Sequence, residues 1–293
     1  MAPMDDTSPR RHIAIFSLAA VLSVGIAAQT PLDPAATALR SYQALRALDR
    51  YLETWNSRNP ALWATSLHFP HVRPGAGAFE MSRTAEEYGA GVDFARTIAT
   101  GWHHSEWVYR DVLQVGLDKV HVSGSWQRFT ADGTPQAISA ITYIVTNRNN
   151  RWGIQARFAA GVGELDAAAA ARISASATAA VDAFMRAWNA HDPAALAAAV
   201  HYPHVRIADG LVEVWKSADD LLAGPEPGRQ RTWHQTRLDR AKVVQTTANG
   251  ANVTVTFTRL GRDGRVLSTD EGVFLAVLRD GVWKIQARST MGT

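Results

Sequence analysis

Hydrophobic positions after residue 32 run through the same changes of period twice. Leu48, Tyr51, Leu52 and Trp55 stand at i, i+3, i+4 and i+7, and so do Val181, Phe184, Met185 and Trp188. That spacing puts four large apolar groups on one face of a helix, and the face must be buried. Each helix closes on Trp-Asn, and Pro60 or Pro193 then starts a second helix, because proline fits a first turn. Trp63 and Leu67 continue the apolar face in the first copy and Leu196 and Val200 in the second, with Pro70 expected to stop the second helix. Residues 71–73 and 79–81 then read as short strands about a Pro-Gly-rich turn, followed by a third helix over residues 84–99. Residues 104–115, 119–130, 136–148 and 151–159 are rich in Val, Ile, Trp, Tyr and Thr. Separated by Asp-Gly and Asn-rich breaks, they predict four antiparallel strands.

The repeat divides the chain into two domains, residues 33–160 (copy 1) and 165–293 (copy 2). His68-Phe69-Pro70-His71-Val72-Arg73 returns as His201-Tyr202-Pro203-His204-Val205-Arg206. Trp152-Gly153-Ile154-Gln155-Ala156-Arg157 returns as Trp283-Lys284-Ile285-Gln286-Ala287-Arg288, so both ends of each copy stay in frame. The alanine-rich stretch 167–180 reads as helix, since alanine is the best helix former and Ile173, Ala177 and Val181 share a face.

Charge and composition remove whole classes of partner. The net charge is +3, and the 30 basic side chains divide evenly between residues 1–163 and 164–293. No basic stripe of the kind that neutralises nucleic-acid phosphates results. Cysteine is absent, which excludes disulfides, thiolate metal sites and thiol nucleophiles. Residues 1–28 carry Arg10 and Arg11 ahead of an apolar run that closes on small residues, the pattern of a secretory signal peptide. The run is short of the roughly 20 residues that a spanning helix needs. A periplasmic or secreted protein is expected, with no membrane association after cleavage.

Three helices followed by a curved antiparallel sheet, with a first helix ending Trp-Asn-x-x-(Asp/Asn)-Pro, resemble the nuclear transport factor 2-like superfamily, especially its SnoaL-like and ketosteroid-isomerase-like branch. The resemblance covers most of the chain, twice. It implies an α+β fold of two tandem cone-shaped domains, each with a sheet wrapped around three helices and an apolar cavity. Single domains of the superfamily dimerise through the open sheet face, so two fused copies are expected to pair within a monomer. The isomerases' aspartate base has no counterpart here, its place falling on Gly75 and Ala208. Their oxyanion tyrosine corresponds to Tyr51 in copy 1 and to Phe184 in copy 2.

Alternate strand residues share a face, so His71 and Arg73 point together, as do His204 and Arg206, a pairing that suits an anion. In copy 1 the resemblance then suggests Tyr51 as oxyanion donor, His71 or His103 as base, and Arg73 as a carboxylate holder. Trp107 and Trp126 occur in copy 1 only, and His234 repeats the place of His103; these are the further candidates for lining a ligand. The structural alternative is that the histidine motif builds a corner, with His68 and His201 beside a helix C-terminus. Metal-ligand spacing, a nucleophile elbow and a phosphate loop are missing, and no cofactor is expected. The function expected is binding of a small, partly apolar molecule, with isomerase, lyase or hydrolase chemistry open to copy 1. The alternative is a structural or protein-binding module with filled cavities.

Overall fold

Both long helices begin on an aspartate cap followed by helix-compatible residues. Asp33 accepts from the Ala36 amide at 2.7 Å ahead of α1 (Pro34–Asn56), and Asp166 from that of Ala169 at 2.7 Å ahead of α5 (Ala167–Asn189). The computed structural model describes residues 32–75, 79–162, 165–224 and 232–291; the signal peptide read at 1–28 lies outside them. Copy 1 continues with α2 (Pro60–Ala64), β1 (Leu67–Arg73), β2 (Glu80–Ser82), α3 (Ala85–Ala90), α4 (Phe94–Ile98), β3 (His104–Val115), β4 (Lys119–Phe129), β5 (Pro135–Arg148) and β6 (Arg151–Val162). Copy 2 continues with α6 (Pro193–Ala198), β7 (Val200–Ala208), β8 (Leu211–Trp215), α7 (Ala218–Ala223), β9 (Trp233–Thr247), β10 (Gly250–Gly261), β11 (Val266–Arg279) and β12 (Val282–Thr290).

Among the described residues each copy builds a six-stranded sheet, ordered β2-β1-β6-β5-β4-β3 and β8-β7-β12-β11-β10-β9. The fold is the expected α+β pair, with three differences in detail. The sheets are mixed, because β1 runs parallel to β6 and β7 to β12; no hairpin joins these strands, so nothing forces them antiparallel. The second helix ends at Ala64, where the Thr65 and Ser66 hydroxyls turn back onto the Leu62 and Trp63 carbonyls; Leu67, His68 and Pro70 therefore lie in β1. Residues 84–99 form two short helices, because Asp93 caps a new start by accepting from the Arg96 amide at 2.8 Å.

The Trp-Asn signature closes the cone. The Asn56 side chain donates to the Ser105 carbonyl and accepts from its amide, both at 2.9 Å, and Asn189 does the same to Thr236 at 2.8 Å. Each long helix is thus tied by its last residue to the first long strand of its own sheet.

The outer faces of the two sheets share a buried apolar layer. Val72, Ile144, Ala156 and Phe158 of copy 1 meet Val205, Ile207, Val273 and Leu275 of copy 2. Polar bonds frame the layer: Gln245 accepts from Thr142 at 2.9 Å and donates to the Gly124 carbonyl at 3.0 Å, and Asn252 donates to the Phe158 carbonyl at 3.0 Å. Lys119 donates to the Thr290 carbonyl at 2.7 Å. Gly250 comes so close to copy 1 that an added Cβ would stand 2.6 Å from the Ala160 carbonyl oxygen.

Candidate functional site

Strand alternation decides what faces the cone. Ala156 and Phe158 occupy the shared layer, so Arg157 between them points inward, beside Tyr143 on the neighbouring strand. Arg157 is 5% exposed, and no carboxylate among the described residues pairs with it. Nε donates to His71 Nε2 at 3.1 Å, and the two terminal nitrogens donate to the Tyr51 hydroxyl at 2.8 Å and the Tyr88 hydroxyl at 3.1 Å. The guanidinium also lies over the Tyr51, Trp63 and Tyr88 rings at 5.8, 5.5 and 6.0 Å. An unpaired buried charge costs several kcal/mol, and ring quadrupoles with neutral acceptors offset that cost only in part.

This contact settles the state of His71. A guanidinium can only donate, so Nε2 is the acceptor and the ring proton sits on Nδ1, which faces the Ile154 carbonyl at 3.1 Å. Burial, and next the Arg157 charge, hold the ring well below the usual imidazole range. With both nitrogens engaged, His71 orients Arg157; acting as a base would first require breaking that bond. His68 is neutral also, lowered to about 3 by burial and then by Arg151, Arg148 and Arg50. It lies in β1 against Thr146 at 2.8 Å, three residues beyond Thr65, the C-cap of α2.

Two adjoining chambers open beside Arg157. The larger, about 560 Å³, is lined by His71, Arg73, Glu80, Tyr88 and Asp93 among others. The smaller, about 230 Å³, is lined by Tyr51, Trp126, Arg128, Ser139 and Ile141, and Trp55, Trp63, Arg73 and Arg157 border both. The described lining of the smaller chamber holds three arginines and no acid. Arg73 meets Glu80 at 3.2 Å with both side chains well exposed, a weak pair. Arg128 lies over Trp55 and Trp126 at 5.7 and 5.4 Å, and its buried Nε has no hydrogen-bond partner. The acids of the larger chamber are engaged: Glu80 with Arg73, Glu87 with the Arg83 amide at 2.5 Å, and Asp93 as the helix cap.

Tyr51, His71, Arg73 and Trp126 therefore come together. His103 does not: it is exposed, with Nδ1 3.1 Å from that of His104, and it lines neither chamber. Trp107 is half-buried edge-on to Tyr143 at 5.7 Å and also stays outside both linings.

Copy 2 repeats the frame with a different interior. Arg288 is 7% exposed and donates to His204 at 3.4 Å, but Phe184 and Leu221 stand where Tyr51 and Tyr88 would accept. It lies instead on Phe184 and Trp188, at 5.4 and 5.2 Å. Burial pulls its pKa down to about 9, so it is still a cation at neutral pH. One cavity of about 20 Å³ among the described residues is lined by Arg288, Phe184, Trp188 and Phe257. Arg206 is bound by Asp209 and Glu213, and Arg259 by Asp270 at 3.3 Å. His204 is buried against Trp215, whereas His234 is exposed and stacks on His191 at 5.8 Å.

Residues 42–160 and 175–292 each match the model of one protein family, described as NTF2-like protein (DUF6841). The chain belongs to that family. No curated protein matches the sequence. Solved structures similar to it include a protein with a cystatin-like fold from Nostoc punctiforme (14% identity, 43% of this chain, 93% of that one, TM-score 0.37). Others are an NTF2-like protein from Novosphingobium aromaticivorans (18%, 46% and 88%, 0.37) and a ketosteroid isomerase-like protein from Erwinia carotovora atroseptica (25%, 40% and 92%, 0.31).

The NTF2-like resemblance directed attention to Tyr51, which does line the site, but Arg157, Tyr88, Arg128 and Trp63 were missed. A signal for Arg157 exists: Ile-Gln-Ala-Arg is kept in both copies, and in copy 1 it sets a charged residue between the apolar Ala156 and Phe158. Chemically, the Tyr51 and Tyr88 oxygens accept from Arg157, so each O–H is left to donate to a bound oxygen. Among the described residues no group of three or more His, Asp or Glu could hold a metal ion. No described helix is long and apolar enough to cross a membrane.

Proposed function

We propose that copy 1 of this NTF2-like chain binds a small, partly apolar molecule in the paired chambers beside Arg157, and that copy 2 serves as a structural partner. One observation carries the reading: aromatic walls and convergent phenol and guanidinium donors line about 560 and 230 Å³ in copy 1, and among the described residues the cavity lined by Arg288 is about 20 Å³. Acid–base turnover of isomerase, lyase or hydrolase kind is the second reading. The two phenols favour it as oxyanion donors, whereas His71, bonded on both nitrogens, weighs for binding without turnover. Export, and a monomer whose copies cover each other's sheets, belong to the same proposal.

A thermal-shift screen with small aromatic acids, amides and alcohols tests it. A ligand at 100 times its Kd should add about 2.7 kcal/mol of stability. Ala137 lines the smaller chamber at an exposed position, so Ala137→Trp should obstruct the chamber without disturbing the core. Equal protection of Ala137→Trp and wild type would remove the chamber as the site.

A further inference from the structure

We infer that the ligand of the copy 1 chambers is an organic carboxylate, its charge set between Arg157 and Arg128 and its apolar body against Trp55, Trp63 and Trp126. This rests on the reading of copy 1 as the binding domain and names the class of molecule bound.

The first support is an excess of positive charge: of the three arginines at the smaller chamber, only Arg73 has a carboxylate partner among the described residues, the exposed Glu80. Arg73, Arg128 and Arg157 border the smaller chamber, whose described lining contains no acid. Arg157 finds only neutral acceptors, and Arg128 only ring faces, with its Nε buried and unpartnered. Guanidinium forks match a carboxylate in two parallel bonds, and low-dielectric walls strengthen that match.

The second support is internal, because copy 2 supplies a carboxylate at the Arg128 position. Arg259 stands where copy 1 has Arg128 and pairs with Asp270, which replaces Ser139. The strand registers agree, Phe257 facing Asp270 as Trp126 faces Ser139. Arg206, the counterpart of Arg73, gains Asp209 where the sequence of copy 1 has Ala76. Copy 2 thus carries a side-chain carboxylate at the Arg128 position, which copy 1 leaves without one, while Arg73 keeps Glu80 as Arg206 keeps Glu213.

The test is calorimetric titration of the whole chain at pH 7.5 with benzoate, 2-naphthoate and biphenyl-4-carboxylate, each beside its neutral amide and its aryl phosphate. At least one acid should bind once per chain, about 100-fold more tightly than its amide. Ser139→Asp, which copies Asp270, should cancel that preference, and Arg128→Met should reduce it at least tenfold, with circular dichroism checking both folds. Amides binding as well as acids would overturn the carboxylate while leaving copy 1 as the binding domain. Phosphates binding more tightly than acids would overturn the class. Acid binding that survives both substitutions would place the site elsewhere, and no binding by any probe would remove the binding reading along with this one.

Discussion

Arg157 and Arg288 occupy one place on one strand of a repeated fold, each bonded to a histidine of the same motif. Around Arg157 stand two phenols and Trp63, whereas Arg288 has Phe184, Leu221 and Leu196 at the matching positions. The hydroxyls hold the first guanidinium away from Trp55 and Trp126, and the chambers lie there. The second rests on Phe184 and Trp188, and that ground is covered. The frame and the interior have separated: both copies keep the Trp-Asn clamp and the histidine–arginine bond, while the groups that could meet a ligand differ.

The shared frame gives the largest predicted effect. His71, His204 and the interdomain His121 are fully buried, and all three are held far below the ordinary imidazole value, by burial first and by neighbouring cations next. They are neutral when folded and free to take a proton when unfolded. Below pH 6.5 the unfolded chain therefore binds more protons, so this stability, present above 6.5, is lost as pH falls toward the folded values. Each site contributes about 1.4 kcal/mol per pH unit, together about 4, and His68, lowered to about 3, adds about as much as one of them. Urea melts at pH 7.5, 6 and 5 should show this slope, and His71→Gln and His204→Gln should flatten it equally; unequal flattening would break the equivalence of the two frames.

Arg157→Met should weaken ligand binding by about 100-fold, the order expected for charge-assisted bonds. Arg288→Met should leave binding unchanged and raise stability by about 1 kcal/mol or more, because it removes a buried charge without a carboxylate. Chemical denaturation beside calorimetry checks both, and loss of binding in Arg288→Met would erase the distinction between the copies. Gly250→Ala should cost about 1–3 kcal/mol by forcing β10 off β6 at the Ala160 carbonyl, and a single transition shifted as a whole would show that the copies melt together. Smallest is Tyr51→Phe, about tenfold in affinity, with no gain of binding from the reverse change Phe184→Tyr.

Periodicity made the architecture legible because each element carries its burial in its spacing. The α1 stripe, the long strands and the repeat were all visible in this way, and Trp-Asn marked a clamp whose partner, the backbone of Ser105, has no side-chain signature. Pro70 misled because proline is tolerated in β1, and the parallel β1–β6 pair is invisible to hairpin reasoning. The site was half legible. Tyr51, His71 and Arg73 were in reach through the resemblance and strand alternation, but Arg157 reads as an ordinary strand-end arginine until its neighbours face the other copy. His103 shares a strand end with Ser105 yet falls on the solvent side.

If copy 1 is the binding domain, one cavity of the pair takes a ligand and the other does not. A crystal of the full chain soaked with 4-bromobenzoate, with data collected at the bromine edge, separates the two. One anomalous peak in copy 1, with the carboxylate against Arg157 or Arg128, is the predicted result. A peak beside Arg288, or one only in the cleft between the copies that Lys119, Arg148, Ile207 and Asp209 line, would contradict it.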